Sequence, residues 1–397
     1  MKRSLILILA VLSAATAYAQ PKPETKGPEY SFTTIKENPI SAIGNQYRSG
    51  TCWCFSGLSF LESELLRKGG KELNLSEMWV VGHSYHDRAV KYVRMDGNMG
   101  FSAGSGFGDV FTTIRKYGIV PQDVYSGMNY GTELPEQAEL DAVLKAYVKA
   151  IVAKPNKVLS TAWLNGFDGI VQAYLGEWTK SFKVDGKDYT PETYRDEVLK
   201  FNADEYVNVC SFSDQPWYGK CPIEVCDNWR NSEGYNVPVE DLVKIIYNAL
   251  DNGYTVLWGG DVSEKGFTRN GIGVMPKPAK KEKPAAGSDQ EHWVGKDKPQ
   301  EEVAAAEIPQ EVEVSDSLRL DAYNRKMTTD DHGMHIYGYA TDQNGTKYFM
   351  VKNSWGEDNK YKGTWYMSET FIAFKTLNII LSKEALPKDI RKKLNVK

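Results

Sequence analysis

A cysteine, a histidine and an asparagine stand in an order that suits thiol chemistry. The segment Gln46-Tyr47-Arg48-Ser49-Gly50-Thr51-Cys52-Trp53 puts a thiol where an apolar helical stripe begins. A thiol at a helix start faces unpaired backbone N–H groups and the positive end of the dipole, and both favour thiolate, the nucleophilic form. Such a sulfur needs a base, and His332 in Asp331-His332-Gly333-Met334-His335-Ile336 is the candidate. It also needs donors for a developing oxyanion, and Gln46, six residues before Cys52, can aim its side-chain NH₂ at the space faced by the Cys52 N–H. Asn353 can accept the imidazole N–H and hold the ring toward the sulfur, with Trp355 covering that bond.

The surrounding pattern supplies elements to position these groups. Phe55, Leu58, Leu61, Leu65 and Leu66 form one apolar face from Thr51 onward, and Gly69-Gly70 stops the helix. Further helices are expected from Ser76 to about Arg94, Gly108 to Tyr117, Pro135 onward, Ser160 to Trp178, Pro191 to Phe201 and Pro238 to Leu250. A strand follows at Tyr254 to Trp258. Ile336 to Ala340 and Lys347 to Lys352 flank Asp342-Gln343-Asn344-Gly345, a hairpin signal. Folding back there brings Asn353 within a few residues of His332 in register.

Composition narrows the class. The 397 residues are 41% hydrophobic, 25% charged and 12% aromatic, which is a globular composition. A net charge of -4 gives no sign of a nucleic-acid partner. Lys2 and Arg3, the apolar run Leu5 to Leu12 and Ala17-Tyr18-Ala19 read as a signal peptide cleaved before Gln20. The run is too short to span a bilayer, so a secreted or periplasmic protein with no membrane partner after cleavage is expected. Residues 20–35 read as a tether. Residues 275–316, punctuated by prolines and rich in Lys and then Glu, read as a mobile surface insertion.

Gln46, Gly50, Cys52-Trp53, His332-Gly333-Met334 and Asn353-Ser354-Trp355-Gly356 resemble the active-site segments of papain-like cysteine peptidases. Asn45-Gln46, Ser49-Gly50, Leu75-Ser76, Lys116 to Pro121, Thr190-Pro191, Val237-Pro238, Gly260-Asp261-Val262 and Leu318-Arg319-Leu320 are similar to the bleomycin hydrolase and aminopeptidase C branch. The resemblance implies an α+β, papain-like fold. Its helical part is expected over 36–125 with Cys52 on a central helix, a helical insertion over 126–235, and a β-rich part over 236–397 carrying His332 and Asn353. The stretch from Cys52 to His332 is about twice the roughly 130–150 residues of the compact papain spacing. It also implies Cys52 as nucleophile, His332 as general acid/base, Asn353 as orienter and Gln46 in the oxyanion hole, on a peptide substrate with no metal or cofactor. Close relatives in that branch form hexameric barrels, which leaves homo-oligomerisation open.

The chain departs from the family in three places. The Cys-Gly-Ser-Cys-Trp of the papain pattern is Ser49-Gly50-Thr51-Cys52-Trp53 here, so the companion cysteine is missing and Cys52 is expected to be unpaired. Cys54 adds a thiol on the same helix, expected to point away from the cleft. After Leu386 the sequence runs only to Lys397, without the arm that lies in the cleft and enforces aminopeptidase action in that branch. The expectations are therefore an aminopeptidase-like enzyme, an endopeptidase of the same fold, or an inactive binding protein.

Other residues carry lesser expectations. Cys210, Cys221 and Cys226 share a loop, and with Cys54 they suffice for two disulfides, whereas their spacing matches no zinc pattern. His83 and His86 are expected on a solvated helix face, and His335 on the opposite side of its strand from His332. Ser105-Gly106 resembles a glycine pair that binds substrate backbone.

Overall fold

The computed structural model describes residues 28–153, 157–278 and 307–397. The expected signal peptide lies outside the described residues. The compact unit that holds Tyr30–Ala279 and Pro309–Lys397 runs in the order β1 (Thr33–Glu37), α1 (Cys52–Arg67), α2 (Glu77–Arg94), α3 (Gly108–Tyr117), α4 (Ala138–Val152), α5 (Ala162–Leu175), β2 (Phe182–Val184), β3 (Lys187–Tyr189) and α6 (Pro191–Tyr194). It continues with β4 (Tyr206–Cys210), β5 (Lys220–Pro222), β6 (Glu233–Asn236), α7 (Val239–Asp251), β7 (Val256–Gly260), β8 (Phe267–Thr268) and β9 (Ile272–Gly273). The last elements are α8 (Asp316–Asn324), β10 (His332–Thr341), β11 (Lys347–Lys352), β12 (Thr364–Ser368), α9 (Glu369–Lys375), β13 (Thr376–Ser382) and α10 (Lys388–Lys393).

Two cores meet along α1. On one side α1 packs with α2 to α5 through Phe60, Met78, Trp79, Val110, Leu144 and Phe167. On the other lies a sheet in the order β5-β6-β4-β13-β7-β10-β11-β12-β9-β8, with β1 also paired to β10. Its core holds Leu242, Trp258, Met334, Phe349, Phe371 and Ile379. The expected single apolar face of α1 is therefore an understatement. The helix is buried from Trp53 to Leu65, Ser56, Ser59, Glu62 and Ser63 included, because both layers cover it. Gly333 of β10 permits the approach, since a Cβ there would meet Ser56 Oγ and Phe107 Cε1 at 2.9 Å.

Local signals set most element ends. Ser76 accepts the Trp79 N–H and caps α2, Thr190 forms a capping box with Thr193 before α6, and Ser315 caps α8. Leu242, Ile245, Ile246, Ala249 and Leu250 give α7 one buried face. The β10–β11 hairpin closes at Asp342–Thr346, where Gly345 takes φ +81°.

Several boundaries differ from expectation. The tether's end forms β1, paired with β10. Beyond the helical layer of α4 and α5, the expected helical insertion turns into β4, β5 and β6 of the main sheet. The ends of the expected mobile insertion are zipped together: Lys277 N–H donates to Gln310 O and Val312 N–H to Met275 O. Its centre, residues 279–306, lies outside the described residues. His83 is not on a solvated face but buried between Tyr117 and Trp178, with ring centroids at 4.1 and 4.4 Å, and burial pushes it down to about 3. His86 pairs with Asp168 at 2.8 Å.

Candidate active site

Cys52 is the first residue of α1, and that helix start has no side-chain cap. Thr51 Oγ1 instead meets Ser49 Oγ at 2.5 Å, which leaves first-turn N–H groups facing the cleft. The sulfur accepts hydrogen bonds from the N–H groups of Trp53 and Gly333. Trp53 donates its indole N–H to Ala103 O at 3.0 Å, which ties the helix start to the opposite rim.

His332 opens β10 opposite Gly260 of β7. The loop leading into it is anchored by charge: Lys375, 1% exposed, donates to Met327 O at 2.6 Å and pairs with Asp261 and Glu264. Asp331 accepts the Val262 N–H at 2.8 Å. Across the hairpin His335 pairs with Lys352, so Asn353 follows directly alongside. Its Oδ1 accepts the Ser354 N–H at 2.8 Å, which identifies that atom as the oxygen, and it lies 2.8 Å from His332 Nε2. Nε2 therefore carries the proton, and Nδ1 is the basic nitrogen. The Trp355 ring sits 4.8 Å from the imidazole and shields this bond from water.

Gln46 is clamped from both ends. Its Oε1 accepts from Ser354 Oγ at 2.7 Å, and Nε2 donates one proton to Ser49 O at 2.8 Å. The second Nε2 proton remains for a ligand in the cleft that Gln46 lines. Cys52, His332, Gln46 and Trp355 thus share one cavity of about 360 Å³. Asn353 backs it from a larger cavity of about 490 Å³ behind α1, whose wall holds Glu62, Glu77 and Lys352.

Burial opposes the helix start. A helix start favours thiolate, yet desolvation outweighs it here and pushes the Cys52 thiol up to about 12, with Asp330 and Asp227 adding negative potential. Desolvation likewise pushes His332 down to about 4, against the hydrogen bond to Asn353. Burial thus works against charge on either group alone, and transfer of one proton from Sγ to Nδ1 is the step that lets the two charges offset each other.

Asp227, Asp330 and Asp331 also line the cleft, and the sequence reading passed over the first two. Asp330 is pushed up to about 7 by desolvation, with Asp227 and Asp331 adding like charge. Gly104 makes room for Asp227, because a Cβ there would lie 2.2 Å from its Oδ2. The signal for Asp330 was its place beside Asp331-His332. Asp227 comes from a mid-chain loop with no motif of its own. The Gly106 N–H, expected to meet substrate backbone, donates instead to Asp227 O at 3.0 Å.

The remaining expected residues are placed as follows. His335 is fully buried on the far side of its strand, with Nδ1 2.9 Å from Ser59 Oγ. Cys54 is buried in the helical core and donates to Glu77 O. No disulfide is closed in this structure: all five cysteines are free, Cys54 is in a different core from Cys210 and Cys221, and the sulfurs of those two are 3.4 Å apart. Among the described residues no His, Cys, Asp and Glu cluster has metal-binding geometry.

Known proteins share parts of this sequence and this fold. A model of the Peptidase C1-like family matches residues 305–397. Aminopeptidase C of Lactobacillus delbrueckii subsp. lactis is 24% identical over 90% of this chain and 82% of its own length. The mitochondrial cysteine proteinase 1 of Saccharomyces cerevisiae is 20% identical over 91% of this chain and 79% of its own. The crystal structure of PepW from Lactobacillus rhamnosis superposes with a TM-score of 0.67 at 17% identity, covering 91% of this chain and 84% of that one. By sequence the chain is similar to aminopeptidase C over most of its length, and its fold is that of a papain-like cysteine peptidase.

Proposed function

We propose that this protein is an exported cysteine aminopeptidase working through Cys52, His332, Asn353 and Gln46. His332 Nδ1 takes the thiol proton as Cys52 Sγ attacks the substrate carbonyl carbon. The Cys52 N–H and the free Gln46 Nε2 proton hold the oxyanion. The imidazolium then protonates the leaving amine, and the neutral ring activates the water that hydrolyses the acyl enzyme. The observation that carries this reading is the 2.8 Å bond from His332 Nε2 to Asn353 Oδ1, with Cys52 at an uncapped helix start in the same cleft. Export rests on the signal-like first 19 residues; a mature protein beginning at Gln20 is expected, and one retaining Lys2 and Arg3 contradicts it.

The aminopeptidase half of the proposal is supported by the names of the relatives and by the three cleft carboxylates, which suit a substrate's terminal ammonium. Peptides with a free and an acetylated amino terminus separate it from endopeptidase action. Stepwise release of residues from the free peptide alone is expected, and internal cuts in both contradict it. A charge-assisted hydrogen bond contributes about 1.5–3 kcal/mol. Asp330→Asn is therefore expected to raise KM for free peptides about tenfold, since 1.4 kcal/mol is a factor of ten. An unchanged KM removes Asp330 from that role.

A further inference from the structure

We infer that Cys210 and Cys221 are a redox modification site, closing to a disulfide that staples edge strand β5 to β4 at the root of the loop that carries Asp227 into the cleft. Their sulfurs lie 3.4 Å apart, and the two residues are 0% and 1% exposed in a small core with Phe212, Ile223 and Leu377. A disulfide is about 2.05 Å long, so the sulfurs need to approach by only about 1.4 Å.

The intervening strand makes the meeting possible. β6 separates β4 from β5, and its Gly234 stands opposite Cys221. A Cβ at Gly234 would lie 2.9 Å from Cys210 Sγ, so the absent side chain is what leaves space for a sulfur above that strand. No other partner competes: Cys54 is in the helical core, and Cys226 is exposed rather than packed in this cluster.

The pair also has an attacking and a resolving member. The two sulfurs are in contact at 3.4 Å with either able to donate, and Cys221 is the one on the more accessible strand. β5 has three residues at the sheet edge with Lys220 and Pro222 exposed, so local fraying uncovers Cys221. With oxidised glutathione as oxidant, Cys221 thiolate attacks one glutathione sulfur and expels a glutathione thiolate. Cys210 then attacks the mixed disulfide and expels the second. Two electrons pass to glutathione, and the two thiol protons end on the two released thiols.

The bridge bears on the cleft through the loop that follows it. Asn228 donates to Ile223 O and Ser232 O, each at 2.8 Å, and the Asp227 carbonyl accepts from Gly106, so a fixed β5 fixes the carboxylate between them. That consequence rests on the peptidase reading; the bridge itself does not.

The test uses the full-length Cys52→Ala protein, which cannot form an adduct at the nucleophile. It is equilibrated with oxidised glutathione, alkylated, digested without reductant and mapped by mass spectrometry. Peptides joined through Cys210 and Cys221 are expected, with Cys54 and Cys226 outside any link. Recovery of Cys210 and Cys221 as separate alkylated or glutathione-bearing peptides, or a Cys221–Cys226 link, overturns the inference. The oxidised form is also expected to melt about 3 °C or more above the reduced form, a shift that Cys221→Ser abolishes. Equal melting of the two forms overturns the stapling role.

Discussion

Cys52→Ala is expected to lower kcat/KM by about 10⁴-fold or more while the fold stays intact. Nucleophilic residues cost that much when removed from triad hydrolases, because the remaining groups cannot form the acyl enzyme. The fold should tolerate the change. The side chain is partly exposed in the cleft, and the Ser56 Oγ bond to the Cys52 carbonyl survives the substitution. Unchanged circular dichroism and melting with lost hydrolysis is the expected pair of results. Hydrolysis near the parental rate assigns the chemistry elsewhere.

Arg319→Ala is expected to be the most damaging single change away from the cleft, at about 3–5 kcal/mol of stability. Arg319 is 5% exposed and gives its guanidinium to four carbonyls. Nη1 donates to Ala373 O and Phe374 O, and Nη2 to Thr376 O at 2.7 Å and Ser211 O at 3.3 Å. These are the last carbonyls of α9, the first of β13 and the one just past β4, so one side chain caps a helix and joins it to two strands. Burial pushes its pKa down to about 10, so it remains a cation at neutral pH, favourably placed at the negative end of α9. Truncation leaves buried acceptors unpaired. Urea unfolding checks this, and a loss under about 1 kcal/mol refutes the capping role.

The legible parts of this molecule are those where one local rule decides. α3 covers the expected Gly108 to Tyr117, and Ser76, the expected start of α2, caps that helix. The β10–β11 hairpin closes at Asp342 to Thr346 and delivers Asn353 beside His332, because the turn fixes register. What stayed hidden depends on contacts distant in sequence. α1 is buried all round because a sheet built largely from the far end of the chain covers its second face. β4 to β6 are short strands whose sheet partners lie elsewhere, so no periodicity announced them. Asp227 reaches the cleft only because Gly104, on another loop, leaves space for it. The desolvation that pushes the Cys52 thiol up was hidden for a related reason: the helix start is local and visible, whereas that desolvation comes from the assembled fold.

The pH dependence of Cys52 alkylation by iodoacetamide tests the central claim most directly, that Cys52 and His332 act as one proton-sharing pair. A thiolate formed by passing its proton to Nδ1 leaves the number of protons on the pair unchanged, so its amount does not vary with pH while the pair holds one proton. The alkylation rate is therefore expected to stay flat from about pH 8 to about pH 5 and to fall only as the ring takes up a second proton near 4. A rate that drops about tenfold per pH unit below 8, as for an isolated thiol of pKa about 8.5, contradicts the pair and with it the mechanism.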